Sequence, residues 1–435
     1  MTGNSRRCLA PAGAALLAAL AGPALAEPAD SARIRELEKK LERSLEMIEK
    51  LSEKINRLEQ AAPKEAPARA AEQDAKIEQL QKHVSEIGAG LSRRSMDQGV
   101  ALHGFADVGL RRIGENNPTT GQGRKGAMLG TLDLYMTPSF GNVKTLIELA
   151  FHGDDSGMAE AELERMQIGY TFSDAATGWI GRFHTPYGYW NTAYHHGAQI
   201  QTALTRPEFL EFEDDNGVLP AHTVGAWLTG VFPHDSGRIG YDAYLGNAPQ
   251  IRTAASELTM RQNGSTSHRT STGFNVWYEP TAVDGLRVGV HGLRADVIDD
   301  AAARNRTLLR MAGGHATYIA EPWEVLAEVY YLRNQDRSGA TGSHSSRAAY
   351  AQVGYNTGRW TPYARLERAK YDRTDNYFLA LGGGRSYRRA LAGLRYDVDP
   401  KAALKVEFGS FRKEDLAGGL VDRFPELRLQ YSVRF

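Results

Sequence analysis

From residue 99 to residue 435, apolar and polar side chains alternate with a period of two, and no other feature constrains the chain as tightly. Val100, Leu102, Gly104, Ala106, Val108 and Leu110 alternate with Ala101, His103, Phe105, Asp107, Gly109 and Arg111. Leu286, Val288 and Val290 alternate with Arg287, Gly289 and His291, and Leu404, Val406 and Phe408 with Lys405, Glu407 and Gly409. The last run sets Leu427, Leu429, Tyr431, Val433 and Phe435 against Arg428, Gln430, Ser432 and Arg434. Successive side chains of a strand point to opposite faces of a sheet, so each run reads as a strand with one apolar and one polar face.

A water-soluble sandwich shows the same alternation, but the connections separate the two cases. Short, turn-like stretches fall at 137–142, 173–178, 232–237, 279–285, 321–322, 356–359 and 397–400. Longer polar stretches fall between them, near 112–127, 152–161, 184–221, 247–272, 294–307, 333–348, 371–388 and 412–425. Seven turns and eight loops make sixteen strands, and 337 residues allow about 21 per strand and connection, which suits tilted membrane-crossing strands of roughly ten residues. Short connections at one end and long ones at the other are a habit of membrane barrels that a sandwich has no reason to follow. The expected fold is all-β, a 16-stranded antiparallel transmembrane β-barrel over residues 99–435. Only alternate positions need be apolar, because the others face a polar interior. Aromatic residues near strand ends, Trp179, Trp323, Tyr330, Tyr331, Trp360 and Tyr431, fit interfacial girdles.

The first 98 residues are a different polymer, holding none of the 39 aromatics and five of the 45 glycines. Residues 1–26 read as a secretory signal: Arg6 and Arg7 precede an apolar run from Leu9 to Leu25, and Ala24-Leu25-Ala26 places small residues where signal peptidase reads. The competing reading, a retained membrane anchor, is opposed by Pro11, Gly13, Gly22 and Pro23 inside the run. The single cysteine, Cys8, lies in this segment, so the exported chain is expected to have no disulfide framework and no cysteine chemistry. Residues 27–98 carry 29 charges, and Ile34, Leu37, Leu41, Ser44, Ile48, Leu51, Ile55 and Leu58 step by threes and fours. That is the seam of an α-helical coiled coil, and its Ile/Leu pattern by itself favours two strands. A Pro/Ala break near 61–70 separates it from a shorter seam at Ile77, Leu80, Val84, Ile87 and Leu91.

Charge is balanced in the whole chain, 52 basic against 52 acidic residues, and in each part, 14 against 15 over 27–98 and 36 against 37 beyond. A nucleic-acid partner therefore has no support. There is no Gly-x-Ser-x-Gly elbow, paired-carboxylate signature or phosphate-binding glycine loop, so neither enzymatic activity nor a cofactor is expected. His195 and His196 are adjacent and His184 and His222 bracket the same loop, but neighbours in an extended chain point apart and no metal site is expected. Gly382-Gly383-Gly384-Arg385 lies in an expected loop and reads as a mobile tip.

Gly181-Arg182-Phe183-His184-Thr185-Pro186 is similar to the Gly-Arg-x-x-Thr-Pro segment that opens the constriction loop of Gram-negative outer-membrane porins. Tyr241 to Ala248 is similar to a strand of that family ending in Asn near the extracellular rim, and the terminal Phe435 resembles the signal read by the barrel-insertion machinery. With the N-terminal coiled coil, the chain resembles the dicarboxylate-uptake porins; such a coil also occurs in a siderophore-uptake barrel family. The resemblance implies a homotrimer in outer-membrane lipid with the coiled coil in the periplasm, where it pairs near the threefold axis or contacts the cell wall or a periplasmic protein. It implies a water-filled channel for passive diffusion of small hydrophilic, charged solutes, constricted by loop 184–221 folded inward. The alternatives are a barrel-anchored periplasmic tether and an uptake barrel for a metal chelate.

On that reading the constriction carries Arg182, His184, Arg206, Glu208, Glu211, Glu213, Asp214 and Asp215. The opposing wall carries Arg111, Lys144, Arg287, Arg365, Arg395 and Arg428, with Lys405 and Arg434, against Asp107, Glu148, Glu324, Glu328, Glu367, Asp397 and Glu407. Opposed rows of charge would orient polar solutes. Equally, these groups would pair with one another as lumen salt bridges, which leaves ion preference open.

Overall fold

The computed structural model describes residues 102–114, 124–153, 159–194, 198–260, 269–301, 304–339, 341–415, 419 and 423–435. The expected signal and coiled coil lie outside the described residues, as do His195 and His196. Three segments of two or three residues aside, the described chain forms sixteen strands. They are β1 Leu102–Ile113, β2 Lys125–Met136, β3 Val143–Gly153, β4 Ala159–Ser173, β5 Ala176–His184, β6 His222–His234, β7 Gly237–Asn247 and β8 Thr270–Pro280. The second half is β9 Leu286–Asp299, β10 Arg306–Ala320, β11 Trp323–Asp336, β12 Ser343–Tyr355, β13 Trp360–Lys370, β14 Tyr387–Asp399, β15 Ala402–Lys413 and β16 Phe424–Arg434. Each pairs antiparallel with its neighbour in sequence, and β16 returns to β1 with Ala106 opposite Val433 and Leu110 opposite Leu429. The sheet closes on itself, so no strand is left as an edge.

Seven turns gather at one end and eight loops at the other, as the sequence predicts. Two loops are shorter than expected, because β9 runs on to Asp299, β11 to Asp336, and β12 begins at Ser343.

Burial is inverted relative to a water-soluble protein. Leu129, Ile180 and Leu366 are 75%, 72% and 66% exposed on the outside, while Glu328, Arg365 and Lys405 are 1%, 1% and 0% exposed within. Leaving a large aliphatic side chain in water forgoes roughly 1.5–3 kcal/mol, so an outer surface of this kind suits hydrocarbon. At the turn end, outward Trp323 packs on Tyr355 at 4.7 Å and Trp360 on Tyr396 at 4.4 Å, as girdle residues. Tyr330, expected in such a girdle, points inward instead and is buried. The seam is latched by the last residue: Gly104 N–H donates to the Phe435 carbonyl at 3.1 Å and Phe435 N–H to the Gly104 carbonyl at 3.0 Å. A Cβ on residue 104 would stand 2.6 Å from the Phe435 ring, so only glycine leaves room there.

Candidate functional site

The connection between β5 and β6, residues 185–221, is the longest in the barrel, and its described residues lie inside. Its base is pinched where Thr185 N–H donates to the Ala221 carbonyl at 2.8 Å and the Thr185 and Thr223 hydroxyls meet at 2.8 Å. Gly188, at φ +65°, turns the chain against the wall; a Cβ there would fall 2.2 Å from Glu328 Oε2. The short helix α1 Trp190–Ala193 follows. The Tyr189 and Trp190 N–H groups donate to the Glu328 carboxylate at 2.9 and 2.7 Å, as do the Tyr330 and Tyr350 hydroxyls at 2.8 and 2.7 Å. Four donors offset the desolvation of this buried carboxylate.

The middle of the loop runs along β13–β15, whose inward cations meet its carbonyl groups. Arg365 donates to the Thr205 and Arg206 carbonyls at 2.7 and 2.8 Å, Arg395 to those of Gln199 and Gln201 at 2.6 and 2.9 Å, and Lys405 to those of Gln201 at 2.6 Å and of Ala198. Glu407 accepts from the Thr205 hydroxyl at 2.6 Å and the Leu204 N–H at 3.1 Å. Arg389 completes the layer. It lies 2.9 Å from Glu426, 3.4 Å from Glu367 and 3.8 Å from Glu407. Apolar contacts add to the polar ones, with Phe209 on Tyr330 at 5.0 Å and Trp190 on Tyr350 at 5.7 Å.

A closed sixteen-strand barrel with its longest loop, after strand five, laid against the inner wall decides the fold. The chain has the fold of the outer-membrane porins. No protein-family model and no curated protein matches the sequence. Among solved structures, an anion-selective porin from Comamonas acidovorans superposes with a TM-score of 0.54 at 11% identity, covering 78% of this chain and 99% of that one. A loop-deletion form of OmpT, an outer membrane protein of Vibrio cholerae, gives 0.51 at 10% identity over 78% and 99%. The outer membrane channel DcaP of Acinetobacter baumannii gives 0.50 at 13% over 77% and 96%.

Within this barrel the expected constriction residues divide. Glu208 lies 2.7 Å from Lys413; burial would raise its carboxyl, but that ammonium holds it below the usual range. Glu213 is buried against His222, accepting from its N–H at 2.8 Å and lying 2.9 Å from Nδ1. Arg206 is buried beneath Phe212, 4.0 Å from the ring, and donates to the Leu210 carbonyl. Arg182 donates to the Glu164 carbonyl at 2.8 Å, and His184 lies 3.5 Å from Glu148. Glu211 is half-buried, and Asp214 and Asp215 are exposed.

On the wall, Arg365 and Arg395 sit under the loop as anchors, not on the open face the sequence reading gave them. Lys144 stands exposed beside the short turn, away from the loop, and Arg111 is half-buried. Arg287 pairs with Glu279 and stacks on Trp277 at 4.1 Å; its side chain stays 29% exposed and that of Arg428 24%. The two opposed rows are thus largely replaced by pairing. Arg389, Glu426 and the inward tyrosines were missed. Arg389 shares the parity of Arg395 on β14, and that was the available signal.

The connection 371–386 also folds inward. Tyr377 of its helix α2 Asn376–Leu379 donates to the Val218 carbonyl at 2.7 Å, and a Cβ on residue 383 would stand 1.9 Å from the Asn216 carbonyl. The glycine run expected as a mobile tip is therefore a backbone-on-backbone contact. Between the start of loop 185–221 and the wall lies a cavity of about 320 Å³ lined by Gln167, Trp227, Asn275, Trp277 and Arg287 among others. His152, Glu162 and Asp214 offer donor atoms within 4.8 Å of one another, a metal-ligating geometry that the histidine spacing did not suggest.

Proposed function

We propose that the protein is an outer-membrane porin, a passage for passive diffusion of small hydrophilic, charged solutes, with loop 185–221 as its constriction. The observation that carries this reading is the division of charge in the loop. Glu208, Glu213 and Arg206 are spent on holding it in place, while Glu211 stays half-buried and Asp214 and Asp215 exposed; Arg182, Arg287 and Arg428 keep part of their side chains exposed. Charged side chains lining a narrow polar bore set which ions pass. A homotrimer is supported by the trimeric form of OmpT among the structures of like fold. The coiled coil over 27–98 then serves assembly from the periplasmic side.

Planar-bilayer recording tests the reading. Purified protein should give conductance steps grouped in threes, and, above the pH at which Glu211 ionises, neutralising Glu211, Asp214 and Asp215 together should move the reversal potential toward anion preference. Absence of conductance would overturn the channel, and an unmoved reversal potential would remove the loop from selectivity.

A further inference from the structure

The inner wall is hollowed where loop 185–221 begins. Gln167 on β4, Gly181 on β5 and Gly225 on β6 stand side by side in one inward row, so two of these three neighbours present no side chain to the lumen. On the far side Gly289 of β9 lies between Trp277 of β8 and His315 of β10. With Pro186, Tyr189 and Ala193 of the loop laid across it, the hollow becomes the cavity of about 320 Å³. That volume lies at the small end of the range for small-molecule sites.

The charges of this lining already have partners. Arg165 meets Glu148, Arg287 donates through Nε to Glu279 at 2.8 Å, and Asp242 accepts from Trp227 Nε1 at 3.0 Å and from Asn275 Nδ2 at 3.4 Å. What lacks a partner is neutral. Gln167, Asn275 and His315 are 4%, 2% and 5% exposed, yet Gln167 Oε1, Asn275 Oδ1 and His315 Nδ1 meet no hydrogen-bonding group among the described residues. The orientation of Asn275 is fixed, because its nitrogen faces two acceptors, the Asp242 carboxylate and the Gly188 carbonyl at 3.5 Å, which turns the oxygen away from them. A buried amide oxygen left bare is costly, so the cavity asks for a molecule that brings hydrogen-bond donors and no net charge. Trp227, Trp277, Pro186 and Ala193 supply carbon surface beside these groups. A lining that joins carbon surface to neutral acceptors matches a ring with C–H on its faces and O–H around its edge.

We propose that this cavity is a binding site for a neutral cyclic polyol of monosaccharide size, with Gln167 and Asn275 accepting from its hydroxyl groups and His315 as the third polar contact. The inference goes beyond the channel reading and rests on it only for the route by which a solute reaches the pocket.

The test uses the full-length protein in a polyoxyethylene detergent, which carries no sugar, and measures binding of radiolabelled D-glucose, D-galactose and D-mannose by equilibrium dialysis. At least one hexose should bind saturably at one per chain, and its matching uronic acid and amino sugar about tenfold more weakly. Gln167→Leu removes an oxygen that has no partner in the fold, so the barrel should keep its heat-modifiable migration while affinity falls about tenfold. Asn275→Leu should cost at least as much, and if either variant fails to fold the other carries the test. Failure of all three hexoses to bind saturably overturns the proposal, as does equal affinity of a folded variant and the parent. A uronic acid or amino sugar that binds as tightly as the hexose overturns the neutral ligand. Bilayer recordings of the same preparations keep the two readings apart. A conducting protein that binds no hexose sinks the pocket alone, and a hexose-binding protein that does not conduct sinks the channel alone.

Discussion

Strand β13 carries Arg365 and Glu367 on its inner face and Arg368 and Lys370 on its outer face, and the two pairs are treated in opposite ways. Arg365 and Glu367 are buried and bonded to each other at 2.9 Å, with loop carbonyls filling the remaining guanidinium donors. Arg368 and Lys370 are exposed and face other cations. β14 repeats the contrast, with Arg389 inside among three carboxylates and Arg388 outside between Arg368 and Arg412. Desolvation explains the difference. A guanidinium beneath the loop has lost its water and must find oxygen atoms to replace it, whereas one at the rim keeps a polar surround.

The contrast predicts unequal costs. Arg389→Ala removes the buried cation that Glu367, Glu407 and Glu426 share, and we expect about 3–5 kcal/mol less stability, read from the urea midpoint of barrel unfolding in vesicles. A loss under about 1 kcal/mol would mean that water already reaches those carboxylates. Glu211 is the intermediate case, a loop carboxyl pushed up to about 8 first by burial and then by the charge of Asp215. Its proton is held until the pH rises through 8, so cation preference should grow between pH 7 and 9 and stay flat in E211Q. Stability moves with it: the unfolded chain ionises near the usual 4.5 while the fold holds the proton, so stability is lost as pH climbs from there to about 8. Arg368→Gln should be the smallest change, within about 0.5 kcal/mol, because it removes one member of a repelling pair. A large loss in the same urea assay would show that Arg368 has a partner.

The barrel was legible because a pleated strand and a closed sheet impose period two and alternating connections on any sequence that builds them. Strand five and the 37-residue connection after it fell where Thr185-Pro186 predicts. What escaped was the upper reach of the strands. Loops expected at 294–307, 333–348, 371–388 and 412–425 took in Arg294, Arg333, Arg347, Arg388 and Arg412, all of which are strand residues. Hydrophobic alternation stops where the apolar band stops, while the hydrogen-bonded ladder continues into the headgroup layer. Pairing inside the lumen was illegible for another reason: parity says that a side chain points inward, not which of several inward charges it meets. The glycine run at 382–384 misled because the absence of a Cβ serves a free tip and a tight contact equally well.

The Phe435 latch has a kinetic consequence. Neighbouring strands meet after a short search along the chain, but across the seam Gln430 reaches Asp107, 323 positions away. Closing so long a ring adds little entropy beyond a shorter one, since that cost grows only logarithmically, yet long-range contacts form slowly. Until the ring closes, β1 and β16 are bare edges open to pairing with other chains. The interval between the making of the last hairpin and the seating of one terminal phenylalanine is therefore the window in which this protein is exposed to aggregation.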